Sequence, residues 1–231
     1  MKVWTVIPLN EYKFFEKTGV LQCDDKHPNV LANSASEYSS CYRWMANQLR
    51  KRVDSSLKYP RWIWYQVEGN NNPLSVNKCF YRVDNGEFAL LIFDVSETLV
   101  LLSDYITWHV CLNGGHLEYT EKESDVWDKL IDSYSDFLYK QKSQLNLNQI
   151  MNNEYFFSLS PVDRSYAEPI RQKIFDSWNI VFDVTTVNDW IGSADRTIQG
   201  VIWTLNKKDL IETHFFTLTE EDHKRYEDSL E

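Results

Sequence analysis

Two short runs of the sequence combine flat aromatic rings with cationic side chains. They read Tyr42-Arg43-Trp44 and Arg61-Trp62-Ile63-Trp64. Aromatic rings can stack on a nucleotide base, and arginine binds phosphates through paired hydrogen bonds. The runs therefore predict a small-nucleotide site in which Tyr42, Arg43, Arg61 and Trp62 contact the ligand. The alternative, which the sequence leaves open, is cation–π packing at the rim of a core.

A third group of residues is suited to acid–base chemistry. Asp104 precedes Tyr105, Trp108 and His109, and a helix beginning after Asp104 places Tyr105 and His109 on one side. A histidine in such a place can act as an acid, a base or a hydrogen-bond donor to a ligand. Asp104 and His109 are therefore candidate catalytic residues, and Trp108 is a candidate stacking surface. The alternatives are a helix cap for Asp104 and a structural hydrogen bond for His109.

Composition limits the class of partner. The chain has 231 residues and a formal net charge of −10, which argues against binding to double-stranded DNA. Only seven glycines and six prolines occur, so a low-complexity segment or long linker is not indicated. The length and the 43% of hydrophobic residues predict a single folded domain over residues 1–231.

Cysteines and histidines give no sign of a metal site. The four cysteines are widely separated and the five histidines are dispersed, so no ligand spacing for zinc is present and we expect no metal. The sequence shows neither a signal peptide nor an apolar run long enough to cross a membrane. We therefore expect no membrane association and a cytoplasmic location, with the cysteines as reduced thiols.

Helical and strand-like patterns are mixed without regular alternation. Strands are predicted at Lys2–Ile7, Trp62–Val67, Phe88–Val95 and Thr197–Leu205, with a hairpin that pairs Lys78–Val83 with the strand after Asp84-Asn85-Gly86. Helices are predicted at Ser36–Val53, Asp125–Lys140 and Tyr166–Trp178. This order predicts an α+β fold with a mixed or mainly antiparallel sheet flanked by helices.

These motifs together resemble a bacterial domain-of-unknown-function family, DUF3841. The residues that carry the resemblance are Trp4-Thr5, Tyr42-Arg43-Trp44-Met45, Pro60-Arg61-Trp62-Ile63-Trp64, Leu101-Leu102-Ser103-Asp104, Trp108-His109, Asn113, Gln199 and Trp203. They span nearly the whole chain. The resemblance implies membership of the family and no particular activity.

A more distant resemblance, in the order of elements alone, is to NAD-dependent ADP-ribosyltransferases and related bacterial toxins. Those proteins hold NAD with an Arg or His in the first strand and orient its ribose with a late Glu. Trp4 and Thr5 stand at the first of these places here, and Gln199 stands at the second. The resemblance implies an ADP-ribosyltransferase-like fold, NAD as cofactor, Thr5 as a cofactor contact and Gln199 as a catalytic residue.

Three classes of function remain open at this level. The first is an NAD-handling, ADP-ribosyltransferase-like enzyme that acts on a macromolecule. The second is a non-enzymatic module that binds a protein or small nucleotide in a defence, toxin or phage-conflict system, with exposed tryptophans as anchors. The third is stacking on RNA or single-stranded DNA, which suits the aromatic and arginine residues and conflicts with the net charge.

Overall fold

The chain forms two compact units in the computed structural model. The model describes residues 1–23, 39–73, 85–187, 193, 195–222 and 224. The sheet unit comprises Met1–His27, Ala46–Leu102 and Asp195–Glu231, and the helical unit comprises Pro28–Met45 and Ser103–Ala194. The single domain that the sequence predicts over 1–231 stays a prediction.

Strands and helices are both well represented. The strands are β1 (Lys2–Pro8), β2 (Val20–Gln22), β3 (Arg61–Gln66), β4 (Gly86–Asp94), β5 (Leu101–Asp104), β6 (Ile198–Ile202), β7 (Thr204–Asn206) and β8 (Leu210–Leu218). The helices are α1 (Leu9–Thr18), α2 (Ser39–Arg52), α3 (Tyr105–Leu112), α4 (Glu121–Lys140), α5 (Asn153–Ser158) and α6 (Pro161–Ser177).

A six-stranded sheet has the order β5-β6-β3-β1-β4-β8, and β2 and β7 form a separate two-stranded sheet. The pairs β6–β3, β3–β1, β1–β4 and β4–β8 are antiparallel. The predicted α+β class with a mainly antiparallel sheet is therefore confirmed.

The central strands of the large sheet are buried on both faces. Val3 and Ile7 of β1 lie in one core cluster with Leu91 and Phe93 of β4, and Phe15 of α1 packs there. Trp4 lies in a second cluster with Leu90 and Ile92 of β4. Because neighbouring residues of a strand point to opposite faces, continuous apolar runs are what a doubly covered sheet requires.

Local signals set several element ends. Helix α1 stops at Gly19, whose positive φ of 73° favours glycine. The residue at its N-terminal cap position is Pro8, and no side chain forms a capping hydrogen bond there. Helix α4 begins four residues before the predicted start, because Thr120 caps it by accepting a hydrogen bond from the Glu123 amide.

Other boundaries differ from the predicted ones. The predicted strand Thr197–Leu205 is two strands in different sheets, β6 and β7. Helix α6 starts at Pro161, five residues before the predicted Tyr166, because Ser160 caps it. The predicted strand Lys78–Val83 lies outside the described residues. Strand β4 itself pairs with β1 on one edge and with β8 on the other.

Gly200 in β6 offers a direct test of this packing. A Cβ atom at Gly200 would lie 3.1 Å from side-chain carbons of Leu102 and Val100 and 3.2 Å from the carbonyl oxygen of Leu101. We expect Gly200→Ala to lower the free energy of unfolding by about 1–3 kcal/mol, because the added methyl overpacks this contact. Urea denaturation measures the change. Ser133→Ala, at an exposed site on α4, is the control and should be nearly neutral; an equally small effect at Gly200 would contradict the packing.

Candidate functional site

Residues predicted for a site in the sheet unit fall on two faces of the large sheet. Thr5 lies opposite Leu91, on the face that α1 covers, whereas Gln199 lies opposite Trp64, in the same row as Trp4. Directly opposed residues of paired strands share a face. Thr5 and Gln199 are both buried, at 6% exposure, and the structure does not bring them together.

Arg61 and Trp62, which are neighbours in β3, also point to opposite faces. Arg61 binds Glu11 of α1 through a 2.7 Å ion pair, and both side chains are largely buried. Its charge is therefore balanced within the fold. Trp62 is half-buried and lies opposite Val201 of β6, on the same face as Gln199.

Gln199 contains a buried polar atom with no visible hydrogen bond. Its Nε2 finds no partner among the described residues. A buried amide donor without a partner costs free energy, so such an atom calls for an explanation. Among the candidate site residues of the sheet unit, Gln199 is thus the one whose environment is least explained by packing.

In the helical unit, four of the predicted residues lie close together. The ring of Tyr42 on α2 is 6.1 Å from that of Trp108 on α3. Asp104 caps α3, accepting hydrogen bonds from the Thr107 amide at 2.9 Å and the Thr107 hydroxyl at 3.2 Å. The fourth is His109, on the same helix. Arg43, the remaining candidate, is exposed.

His109 is held by its own helix. Its Nδ1 is 2.7 Å from the carbonyl oxygen of Tyr105, and the two rings meet edge to face at 4.2 Å. Because a carbonyl oxygen only accepts, Nδ1 carries the hydrogen and donates it. Nε2 is then the basic nitrogen of the neutral ring. This hydrogen bond explains the position of His109 without a ligand, and a catalytic role stays a prediction.

A pocket of about 830 Å³ lies elsewhere in the helical unit. Its walls are the loop between α3 and α4, the first turns of α4, the last turns of α6 and the segment that follows α6. The lining residues are His116, Leu117, Glu118, Tyr119, Thr120, Lys122, Glu123, Val126, Trp127, Leu130, Lys173, Asp176, Ser177, Asn179 and Ile180. This volume is typical of sites for small ligands.

The centre of chemical interest in this pocket is a stacked histidine. The imidazole of His116 lies flat on the indole of Trp127, with centroids 3.9 Å apart and an interplanar angle of 5°. Its Nδ1 is 2.6 Å from Oε1 of Glu118. Both His116 and Glu118 are mostly buried, at 18% and 13% side-chain exposure. The ring is therefore fixed by stacking on one side and by a carboxylate at one nitrogen.

The loop that carries His116 is anchored at two points. The indole Nε1 of Trp178 donates a 2.8 Å hydrogen bond to the carbonyl of Gly115, and the amide of Leu117 donates to the hydroxyl of Ser177 at 3.0 Å. Gly115 is required sterically, because a Cβ there would lie 2.6 Å from a methyl carbon of Val110. The imidazole position thus follows from contacts on both sides of it in the chain.

Tyr119 lines the pocket, and Asp183 is the hydrogen-bond partner of its side chain. Hydrogen bonds from the side chain and amide of Thr186, and from Thr185, lower the pKa of Asp183 to about 2. Burial raises the pKa of Tyr119, and the negative charge of Asp183, to which its hydroxyl donates a hydrogen bond, raises it further. Asp183 is thus an anion and Tyr119 a neutral donor at physiological pH.

Charged groups of both signs line the pocket. Lys122 and Lys173 provide two cations, while Glu118, Glu123 and Asp176 provide carboxylates. Glu123 is already used in the fold, since its side chain accepts a hydrogen bond from the Tyr119 amide at 2.7 Å and completes the cap of α4. The lysines are thus the cationic groups available to an anionic part of a ligand.

This pocket is not predicted from the sequence, which favours His109 among the histidines because of the neighbouring Asp104 and Trp108. Trp127 lies within the predicted helix Asp125–Lys140 and is not among the predicted site residues. The available signal was the His116-x-Glu118 spacing directly after Gly114-Gly115. That signal is weak by itself, because Trp127 and Lys173 join His116 only through the fold.

No group of three or more His, Cys, Asp or Glu side chains in the described part of the chain could hold a metal ion. None of the helices formed by the described residues has the length and apolar character needed to cross a bilayer.

Comparison with known proteins gives a family and nothing more specific. The family described as domain of unknown function (DUF3841) matches residues 2–211. The chain belongs to the DUF3841 family. It matches no curated protein and no solved structure. The resemblance to DUF3841 that rests on Trp4-Thr5, Tyr42-Arg43 and the other motifs is therefore confirmed. The likeness to ADP-ribosyltransferases stays a prediction.

Asp104 of this DUF3841 chain can be tested as a cap. Asp104→Ala removes the acceptor of the Thr107 amide and should lower the free energy of unfolding by about 1 kcal/mol, whereas Asp104→Asn should retain most of it, because asparagine caps as well as aspartate. Chemical denaturation of the three proteins measures this. If Asn destabilised the protein as much as Ala, the carboxylate charge rather than the cap would be the important property.

Proposed function

We propose that this DUF3841 protein binds NAD, or a closely related nucleotide, in the pocket of the helical unit. The observation that supports the proposal most strongly is the flat stack of His116 on Trp127 beside the Glu118 carboxylate. A small nucleotide is also one of the ligands that the sequence predicts. The cytoplasmic location predicted from the sequence suits such a ligand.

The ring end of the pocket suits a planar cation. The nicotinamide ring of oxidised NAD is flat and carries a positive charge. An indole face attracts a cation through its π electrons, and a neighbouring carboxylate adds Coulomb attraction. Trp127 and Glu118 supply these two features within the same wall. A nicotinamide ring placed against the stacked rings of His116 and Trp127 would add a third layer to the stack. It would then lie on the side of the pocket that carries the Glu118 carboxylate.

The phosphates of the ligand fit the two lysines. Lys122 lies in the first turn of α4 and Lys173 near the end of α6, and both line the pocket. Lysine binds phosphate as a point charge on a flexible stem, so it adapts to a diphosphate without fixed geometry. The amides at the start of α4 are partly satisfied by Thr120, so the lysines rather than the helix end carry this interaction.

Binding of NAD can be measured by isothermal titration calorimetry. We expect Trp127→Ala to weaken binding at least about fivefold, because base–aromatic stacking contributes about 1–3 kcal/mol. Tyr139→Ala is the matched control, since Tyr139 is an 85% exposed aromatic residue on the same helix outside the pocket lining. The Tyr139→Ala variant should bind NAD with the same affinity as the unmodified protein.

The variant Trp62→Ala distinguishes binding in the pocket from binding at the site that the sequence predicts in the sheet unit. If Trp62→Ala abolishes binding and Trp127→Ala leaves it unchanged, the ligand is bound in the sheet unit and the proposal fails. Absence of any heat with NAD, ADP-ribose and ATP would exclude a nucleotide ligand altogether. Protein and other macromolecular partners remain predictions of the sequence.

A second candidate is consumption of the bound NAD, as the distant resemblance to ADP-ribosyltransferases predicts. The observation in its favour is the mostly buried carboxylate of Glu118 in the pocket. When the bond between nicotinamide and ribose C1′ breaks, both electrons leave with nicotinamide and positive charge develops on the ribose. A fixed carboxylate stabilises that charge. An acceptor hydroxyl then bonds to C1′ and releases its proton to His116.

Release of nicotinamide, measured by chromatography, tests this candidate. Glu118→Gln keeps the size and hydrogen-bonding capacity of the side chain and removes its charge. We expect it to reduce nicotinamide release at least about a hundredfold, the scale seen when one stabilising group of a transition state is lost. Glu121→Gln, an exposed change on α4 outside the lining, should retain full activity. Binding without release in the unmodified protein would leave only the binding function.

A further inference from the structure

Strand β8 forms one edge of the large sheet. It pairs with β4 along Gly86–Phe93, and β4 is its only neighbour in the strand order formed by the described residues. An edge strand presents unpaired backbone donors and acceptors to any extended segment that fits. Lysine and proline are among the residues that protect natural edges, and β8, with the sequence LIETHFFTL, contains neither. Its pairing with β4 has one irregularity, between Leu210 and Glu212.

We propose that β8 pairs in antiparallel orientation with β8 of a second copy of this chain, with the two Thr213 residues facing each other. In this register Glu212 of one copy lies opposite His214 of the other. Because the two copies are related by a two-fold axis, the same pair occurs twice. Opposed side chains of antiparallel strands have Cβ atoms about 4.5–5.5 Å apart, which is within reach of a hydrogen bond between a carboxylate and an imidazole.

Charge complementarity selects this register among its neighbours. A two-fold axis at Glu212 would place the two carboxylates against each other, and an axis at His214 would oppose the two imidazoles. Only the axis at Thr213 opposes Glu212 with His214. Two opposed carboxylates repel each other, and an axis at His214 places no carboxylate opposite an imidazole, so the neighbouring registers are disfavoured.

Side-chain positions in one copy agree with this arrangement. Oε2 of Glu212 is 3.0 Å from Nε2 of His214, and both side chains remain 42% exposed. Pairing would place each carboxylate between its own histidine and that of the other copy. The pairing of β8 with β4 is irregular between Leu210 and Glu212, so the proposed contact is centred on Glu212, Thr213 and His214, with Phe215, 60% exposed, beside it.

Sedimentation velocity over a dilution series of the full chain tests the proposal. We expect a dimer that dissociates on dilution. Glu212→Lys and His214→Glu should each raise the dissociation constant roughly tenfold, because the first removes both carboxylates that face an imidazole across the two-fold axis and the second places two pairs of carboxylates against each other. The double variant should regain affinity, since the introduced lysine of one copy then faces the introduced glutamate of the other.

Glu97→Lys is the matched control, with the same change of charge at an exposed site away from β8, and should leave the dissociation constant unchanged. Circular dichroism of each variant excludes unfolding as the cause of any change. A monomer at all concentrations would overturn the proposal. So would a dimer that neither single variant weakens, or a double variant no tighter than the singles.

Discussion

The large sheet depends on one constraint, which is that β1 and β4 must be buried on both faces while every backbone group stays paired. Seven residues of β1, from Lys2 to Pro8, pair with β4 in unbroken register, and β4 uses its other edge for β8. The two apolar clusters on the faces of this pair explain why both strands read as continuous hydrophobic runs. Any polar residue in the interior of β1 is therefore enclosed, as Thr5 is.

In the helical unit, aromatic residues contact one another and the loop that carries His116. Trp178 contacts Trp44 edge to face at 5.4 Å and also holds the Gly115 carbonyl. Trp44 stacks on Phe182 at an interplanar angle of 6°. This packing supports the loop that presents His116 to the pocket. The abundance of tryptophan is thus explained largely by structure, and Trp127, stacked on His116 in the pocket wall, is the residue to which we assign binding.

Local features of the fold were predictable from the sequence and tertiary relations were not. The strands at Lys2–Ile7 and Trp62–Val67 and the Asp104 cap follow from patterns within a few residues. The opposite faces of Thr5 and Gln199 depend on the register of three strands, which no local pattern fixes. The split of the predicted strand at Thr197–Leu205 has the same origin, since its two halves pair with different partners.

The pocket was hidden for a related reason. Its chemistry combines His116 with Trp127 and Lys173, and only the packing of two helices against one loop brings them together. By contrast, Tyr42 and Trp108 are both predicted from the sequence as ligand contacts, and their rings do meet in the structure. These side chains contact other residues of the fold. Proximity in space alone therefore does not distinguish a ligand site from a packed cluster.

A crystal structure of the protein with NAD tests the central claim most directly. We predict density for the nicotinamide ring extending the stack of His116 on Trp127, with the diphosphate between Lys122 and Lys173. Density for NAD against Trp62 and Arg61, or a complex in which NAD lies outside the helical-unit pocket, would contradict the assignment of this pocket as the ligand site.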